Sequence, residues 1–320
     1  MRQGAINTPQ RQHGVALITA ILLVAMATII AAKLSWDNNV GIRRTESTLM
    51  QEQARLFALG AEAVAIDVLR QDENKEYDHP GEIWAQITPP VEIGIEEISM
   101  GNMFGYMSDP TGRLNVNNLV PDQNEISREQ FERLFDNLNV DAGIIDAIID
   151  WIDPDTDPEL RGAEDGVYTS LNPPYRPGNT YMTSISELLA INGIDANTFK
   201  KLRPHLTALH PDWCGSSSTG GSSVNINFAS AEVISALNDE ISPSLAQSWV
   251  EERGDGGWES LSELSNAPEN IDEFATISTN CMELYVTVNI GSSVLSMYSL
   301  LDRSGNDEDI VTRVRVYGLD

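Results

Sequence analysis

The sequence has few of the residues that build zinc sites or enzyme active sites. It contains two cysteines, no Cys-x-x-Cys pair, and four scattered histidines in 320 residues. A structural zinc site needs clustered thiolates or imidazoles, so this composition argues against one. The motifs Gly-x-Ser-x-Gly, His-Glu-x-x-His and the phosphate-binding loop are also missing from the sequence. We therefore expect no enzyme activity.

Basic residues are also scarce. The chain has 20 lysines and arginines against 48 aspartates and glutamates, a net charge of −28. A surface of this sign repels phosphate backbones, so we expect no nucleic-acid partner. It attracts divalent cations or basic partners instead, although solubility alone explains most of these acids.

What the sequence does have is one long apolar run near its N-terminus. Val15 to Ala32 is eighteen residues without a charge, and Lys33 closes the run. A helix of this length rises roughly 27 Å, about the thickness of a bilayer core. Apolar residues then recur at helical spacing, which predicts one helix from Val15 to about Leu69, with a bend expected near Gly41.

Three interpretations of this N-terminus remain open. A secretory signal peptide would be cut after a small-x-small sequence. The candidate site Ile30–Ala32 has the bulky Ile30 at the minus-three position, where a small residue is needed. A plain signal anchor is the second interpretation. In the third, cleavage falls between Gly14 and Val15, and the apolar run is retained. A basic leader with Arg2 and Arg11 and no acid, then Gly14 and an uncut apolar helix, resembles the class III leader of type IV pilins and type II secretion pseudopilins.

The fifth residue after that cleavage point departs from the superfamily pattern. Most members carry a glutamate there, which pairs with the N-terminal amine of a neighbouring subunit, whereas this chain has Thr19. A buried carboxylate without a partner is costly, so its loss suits a subunit with nothing above it. In this respect the chain resembles the K-type minor pseudopilins of type II secretion.

That resemblance implies a role and a location. The chain would cap the tip of the periplasmic pseudopilus and promote its assembly. Its partners would be the prepilin peptidase and the I and J minor pseudopilins, with the H subunit as a further candidate. The helix would cross the inner membrane of a Gram-negative bacterium once, with the body in the periplasm.

Strand patterns occur at both ends of the body. One predicted strand is Val91–Met100, followed by short ones at Gly105–Met107 and Arg113–Val116, and further strands lie between Met282 and Tyr317. We expect all of them to share one antiparallel sheet that packs on the long helix, an α+β pilin-like fold. The predicted divisions are a leader (1–14), a membrane or fibre-core segment (15–33), a pilin-like domain (34–118 and 272–320) and an inserted all-helical domain (119–271).

The inserted region contains a repeat. Leu114-Asn115-Val116-Asn117 is echoed by Val224-Asn225-Ile226-Asn227, and Ser184-Ile185-Ser186-Glu187-Leu188 by Ser260-Leu261-Ser262-Glu263-Leu264. In both copies, helical patterns lie between the two matching segments. A Gly/Ser-rich linker at 214–223 separates the two copies. We interpret this as two related helical units, with chance similarity of short polar words as the alternative.

The first copy carries an acidic loop that the second lacks. Asp153 lies 31 residues before Ser184, whereas Arg253 lies 7 residues before Ser260. Carboxylates at alternate positions of a proline-bounded loop can point at one centre, and calcium accepts six to eight oxygens at about 2.3–2.6 Å. The loop is not an EF-hand, because Pro158 stands where glycine is needed. The predicted ligands are Asp153, Asp155, Asp157, Glu164 and Asp165.

The segment around these acids also resembles the calcium-binding region of K-type pseudopilins, so we expect a structural Ca²⁺. A solvated acidic loop without metal is the alternative interpretation. A third, a catalytic magnesium of a membrane-anchored enzyme, lacks an obvious base nearby.

Two further hypotheses concern the rest of the insert. Leu188–Ile194, followed by Phe199, resembles a helix-hairpin-helix, which would make the chain a membrane-anchored DNA-binding protein, but Asp195 replaces the second glycine of the hairpin. If the body is exported, Cys214 and Cys281 can form one disulfide, with two buried free thiols as the alternative.

Overall fold

The computed structural model describes residues 13–72, 74–95, 98–120, 125–214, 223–305 and 309–318. Most of the leader, and residues 215–222 of the expected linker, lie outside the described residues, so those predictions stay predictions.

The N-terminal helix, α1, runs from His13 to Arg70. It continues through Gly41 without interruption and ends where the apolar pattern ends, next to Leu69. Among the described helices, α1 is the one that is long and apolar enough to cross a membrane, and none of its most apolar stretch is buried. The helix therefore has a free apolar first half and a second half that packs on the body.

The second half of α1 uses short side chains for its packing face. Ala54 and Ala58 are fully buried, and Ala65 and Leu69 are nearly so. Small residues let the helix lie close to the sheet, where it shares a core with Met107, Val286, Met297 and other sheet residues. Glu62 is also buried on this face, and its carboxylate accepts hydrogen bonds from Arg315 and Ser299.

The described strands number nine and form three sheets. In chain order they are β1 (Val91–Ile95), β2 (Ile98–Ser108), β3 (Leu114–Asn115), β4 (Leu206–Thr207), β5 (Val224–Asn225), β6 (Ala275–Thr276), β7 (Cys281–Ile290), β8 (Ser293–Asp302) and β9 (Val311–Tyr317). The main sheet has the order β1-β2-β7-β8-β9 and is antiparallel throughout. Near the centre of this sheet β2 pairs with β7, in a register that runs from Gly101↔Ile290 to Ser108↔Glu283. This pairing confirms that strands from both ends of the body share one sheet.

Two strand predictions need correction. The predicted strand Val91–Met100 is the start of a hairpin, since Ile95 pairs with Ile98 and β2 then continues to Ser108. The predicted strand at Arg113–Val116 shortens to Leu114–Asn115 and leaves the main sheet for a parallel pairing with β4. The side chain of Asn115 accepts the backbone N–H of Asn117 and turns the chain into a short 3₁₀ helix.

The inserted region is mainly helical and has its own core, but the prediction of an all-helical insert was wrong in one respect, since the short strands β4 and β5 lie within it. Its helices are α2 (Glu125–Asn137), α3 (Ile144–Ile152), α4 (Asp165–Tyr168), α5 (Ala196–Leu202), α6 (Ala231–Leu237) and α7 (Pro243–Arg253), with 3₁₀ helices at Ile185–Ala190, Leu261–Glu263 and Ile271–Glu273. Trp249, Tyr168, Phe131 and Phe135 are the largest of its fully buried side chains. This core is separate from the one between α1 and the sheet, so the α+β fold with a helical insertion is confirmed.

The two halves of the insert repeat each other in detail. Asn117 donates to the carbonyl of Met182 and accepts its N–H, and Asn227 does the same with Trp258. Met182 and Trp258 each lie two residues before the serine that caps the following 3₁₀ helix. Each half also closes with a parallel pair, β3 with β4 and β5 with β6. Both halves therefore share one arrangement of contacts.

Candidate metal centre and assembly sites

The acidic loop connects the end of α3 to the start of α4. Asp153 is the C-cap of α3 and Glu164 is the N-cap of α4, so the loop folds back and brings the two carboxylates together. Ligand atoms of Asp153, Asp155 and Glu164 all lie within 4.8 Å of one another. Three of the five predicted ligands therefore meet at one point.

The other two predicted ligands lie elsewhere. The backbone N–H of Asp157 donates to Asp155 Oδ1 at 2.8 Å, and Asp157 itself is exposed. Asp165 makes an ion pair of 3.2 Å with Arg176 on the outside of α4. Neither belongs to the cluster that the structure brings together.

The cluster contains buried oxygens that no protein group satisfies. Asp153 Oδ1, both Glu164 carboxylate oxygens and Asp150 Oδ2 are buried and have no hydrogen-bond partner. An unpaired buried carboxylate is costly, and a cation removes that cost. Asp150 was not among the predicted ligands. Its signal was an acid in the mainly apolar helix Ile144–Ile152, where Asp150 is fully buried and Asp146 is the other acid.

The electrostatics agree with this geometry. Burial, together with repulsion from Asp155 and Asp150, raises the pKa of Asp153 to about 7. Burial likewise raises the pKa of Asp150 and of Glu164 from their ordinary values. Without a cation Asp153 retains its proton up to near neutral pH, and a divalent cation competes with that proton.

The loop is held in place from both sides of the cluster. Asp146 accepts hydrogen bonds from Arg128 and from the backbone N–H of Arg161, and Arg161 pairs with Asp141 at 3.1 Å. Gly162 packs directly against Asp150, since an added Cβ would lie 1.9 Å from Oδ2. The donor set is all oxygen, which fits a hard cation such as Ca²⁺.

The pKa shifts predict how the metal-free protein responds to pH. Asp153 binds its proton more tightly when folded than when unfolded, so metal-free stability falls as pH rises from about 4 to about 7. Urea unfolding of the full chain in detergent and a chelator, at pH 5 and pH 8, measures it. A metal-free protein that is more stable at pH 8 contradicts the assignment.

The second unit has a cation of its own at the corresponding place. Arg253, which matches Asp153 in the repeat, donates to the backbone carbonyls of Ile226 and Ala229. Its guanidinium satisfies those carbonyls, and the second unit has no acidic extension.

Thr19 lies in the exposed apolar half of α1. Its hydroxyl donates to the carbonyl of Ala16, one turn earlier, at 3.0 Å. The residue therefore leaves no polar group that needs a partner in another subunit. Gly14 and Val15, the predicted cleavage pair, lie in the first turn of α1.

Cys214 and Cys281 are bonded, with their Cα atoms 5.3 Å apart. The disulfide is confirmed, and the alternative of two free thiols is wrong. It joins the end of the first helical unit to the first residue of β7, and it packs with Leu209 and Leu300. It therefore fixes the insert to the sheet.

The hairpin that resembles a DNA-binding motif is blocked at its phosphate position. Gly193 has the positive φ of such a turn, but the Asp195 carboxylate accepts the N–H of Thr198 at 2.7 Å and caps α5. These hydrogen bonds lower the pKa of Asp195, so an anion occupies the helix end that phosphate needs.

A helix with a free apolar half, packed on an antiparallel sheet and followed by a disulfide-linked helical insert, is the architecture of a pilin-like subunit, and its apolar half is a candidate membrane anchor. Two family models described as type II secretion system (T2SS) protein K match residues 112–212 and 224–279, which are the two repeated units. The chain is 32% identical to type II secretion system protein K of Pseudomonas aeruginosa, over 96% of this chain and 93% of the relative. It is 30% identical to that of Pectobacterium carotovorum, over 95% and 96%. The chain belongs to the type II secretion system protein K family.

The fold agrees with a solved structure. A chain of the GspK-GspI-GspJ complex from the type 2 secretion system of enterotoxigenic Escherichia coli superposes with a TM-score of 0.71 at 23% identity. The match covers 87% of this chain and all of that one.

Proposed function

We propose that the chain is a minor pseudopilin that caps the pseudopilus tip in a complex with I-type and J-type subunits. Residues 15–33 would anchor it in the inner membrane, with the body in the periplasm. The observation that carries this proposal is that α1 exposes two apolar surfaces to solvent. A globular protein that acts alone would bury such surfaces. The solved relative belongs to a GspK-GspI-GspJ complex, which supports this choice of partners.

The first surface is the outer stripe of α1, defined as Ile42, Leu49, Leu56 and Val64. These side chains are between 48% and 67% exposed, and their spacing of seven and eight residues puts them on one side of the helix, away from Ala54 and Ala58. Gly60 lies in the same stripe, and a Cβ added there would have no other atom within 4 Å. An apolar seam of this spacing suits a parallel helix of another subunit. The second surface is the free apolar half of α1, which suits the membrane.

Co-purification tests the complex and the stripe together. We expect the full chain, extracted from membranes, to retain I-type and J-type partners, and Leu56→Asp to lose most of them because it places a charge in the seam. Ile83→Asp is the matched control, since Ile83 is 83% exposed and lies outside α1. Equal retention by both variants, or no retention by the wild type, contradicts the proposal.

Thr19 supports the terminal position, since its hydroxyl is satisfied within its own helix. We expect Thr19→Glu to reduce the recovered tip complex severalfold, because the new carboxylate would lie in the membrane with no amine above it. Thr19→Val should leave recovery unchanged. Wild-type recovery of Thr19→Glu would show that this position has a partner and that the subunit is not terminal.

We further propose that the prepilin peptidase cleaves between Gly14 and Val15 and that the apolar helix stays attached. Intact-mass analysis of the membrane-extracted protein should give a chain that begins at Val15. A chain that begins at Met1, or a free body without residues 15–33, would contradict this.

The same proposal includes a structural Ca²⁺ held by Asp153, Asp155 and Glu164, with Asp150 beside them. The unsatisfied buried oxygens of these groups support it. The ion would neutralise the clustered charge and order the loop between α3 and α4.

A further inference from the structure

Residues 165–178, which follow the acidic loop, have little regular structure. Their one helix, α4, is four residues long, and of the ten residues after it all but Pro177 are exposed. Prolines at positions 173, 174 and 177 also leave the segment with few backbone donors. A segment with so little packing of its own depends on whatever holds its ends. We call residues 165–178 the strap.

Both ends of the strap are attached to the candidate metal centre. Glu164, one of the clustered carboxylates, is the N-cap of α4, and its carbonyl accepts the N–H of Val167 at 2.8 Å. At the other end, the side chain of Asn179 donates to the backbone carbonyl of Asp155 at 2.9 Å, and its N–H donates to that of Trp151 at 2.9 Å. The strap therefore begins at one candidate ligand and returns to the backbone of another.

Two tyrosine rings fasten the middle of the strap to the same place. Tyr168 is fully buried, and its ring centroid lies 5.3 Å from that of Trp151 and 5.4 Å from that of Tyr175. Trp151 belongs to α3 and lies two residues before Asp153. The rings thus join the strap to the helix that leads into the metal centre.

The hydroxyls of these tyrosines reach a second segment, the hairpin turn at residues 190–194. The Tyr168 hydroxyl accepts the N–H of Asn192 at 3.3 Å, and the Tyr175 hydroxyl donates to the carbonyl of Ala190 at 2.7 Å. The strap therefore lies between the metal centre and the hairpin turn and makes hydrogen bonds to both.

The carboxylates at the two ends of the strap are close enough to repel each other. Ligand atoms of Asp153, Asp155 and Glu164 lie within 4.8 Å of one another, and among the described residues no group donates to either Glu164 carboxylate oxygen. Like charges at this separation favour an open loop, whereas a divalent cation among them holds the loop closed. Because the strap has little packing, it is the part that yields when the loop opens.

We propose that the strap is closed by calcium and couples the metal centre to the hairpin turn. Calcium among the clustered carboxylates holds both strap ends together, which seats Tyr168 and Tyr175 against the turn. Removal of the ion lets the ends separate, and the two hydroxyls then leave the turn. The inference rests on the calcium of the proposed function. It extends the effect of the ion beyond the loop between α3 and α4.

Hydrogen exchange of the full chain in detergent at pH 8, in calcium and in a chelator, tests the closure. We expect calcium to slow exchange about tenfold in peptides that cover the strap and the hairpin turn, because both are ordered only when the strap is closed. Helices α6 and α7, in the second unit, should change little. Calorimetric titration of the same samples with Ca²⁺ measures binding separately.

A double variant, Tyr168→Phe/Tyr175→Phe, separates closure from coupling. It keeps both rings but removes both hydroxyls, so calcium should still bind and still slow exchange in the strap. Its effect on the hairpin turn should fall severalfold, because the hydrogen bonds to the turn are gone. Tyr181→Phe is the matched control, since Tyr181 lies outside the strap with its ring against His210. This control should behave as the wild type does.

Three results would overturn the strap proposal and leave the metal centre standing. They are calcium binding without slower exchange in the strap, equal slowing in the strap and in the second unit, and an undiminished effect on the hairpin turn in the double variant. If calorimetry detects no calcium binding, the metal centre and the strap fail together, while the tip-cap proposal is unaffected. Thermal melting of each variant separates lost coupling from lost folding.

Discussion

Asp153→Asn is expected to raise the stability of the metal-free protein and to remove its stabilisation by calcium. In a chelator the variant should be more stable than the wild type above pH 7, because it removes a buried charge whose pKa is raised to about 7. Excess calcium should stabilise the wild type but not the variant, because a ligand at a hundred times its dissociation constant stabilises a folded state that binds it by about 2.7 kcal/mol. Urea unfolding of the full chain in detergent, in calcium and in chelator, measures both effects.

Asp157→Asn is the control for that experiment. It removes the same charge from the same loop, but Asp157 is exposed and lies outside the cluster. We expect its stability to follow the wild type in both conditions. If calcium stabilises Asp153→Asn as much as the wild type, the metal centre is not at Asp153, Asp155 and Glu164.

Removing the disulfide should have the second large effect. Cys214 and Cys281 close a loop with a sequence separation of 67, and opening a loop of that size costs about 4 kcal/mol by chain entropy. The loop contains the whole second helical unit, so we expect Cys214→Ser/Cys281→Ser to loosen that unit from the sheet before the core of α1 unfolds.

Hydrogen exchange of the same variant locates the effect. Faster exchange should appear in β5, α6 and α7, while the centre of the main sheet changes little. The reduced wild type should behave as the double variant does. A loss below about 1 kcal/mol, or uniform exchange over the whole body, would show that the bond does not restrain the insert.

Features that span a long stretch of the chain could be predicted from the sequence where a single residue type determines them. An eighteen-residue run without a charge predicts α1, and two cysteines in an exported body leave one possible disulfide. The repeated Asn-x-Asn sequence predicted the two units for a structural reason. In both copies the side chain of the second asparagine accepts the same backbone hydrogen bond, from the N–H of Met182 in the first unit and of Trp258 in the second.

The ligand set was only partly predictable, for a geometrical reason. Alternate spacing assumes an extended loop whose carboxylates all point inward. The backbone N–H of Asp157 instead turns back onto the Asp155 carboxylate, and Asp157 is left exposed. Asp150 was missed because an acid in a helix is ordinary until the fold buries it beside Gly162.

The central claim, that this subunit occupies the tip, is tested most directly by its position on the fibre. Pseudopili assembled with a tagged version of the chain can be labelled with gold-conjugated antibody and imaged by electron microscopy. We expect one labelled end per fibre and bare sides, because Thr19 offers no charge for a subunit above it. Label repeated along the fibre would show that the chain is an ordinary stacked subunit and would contradict the account.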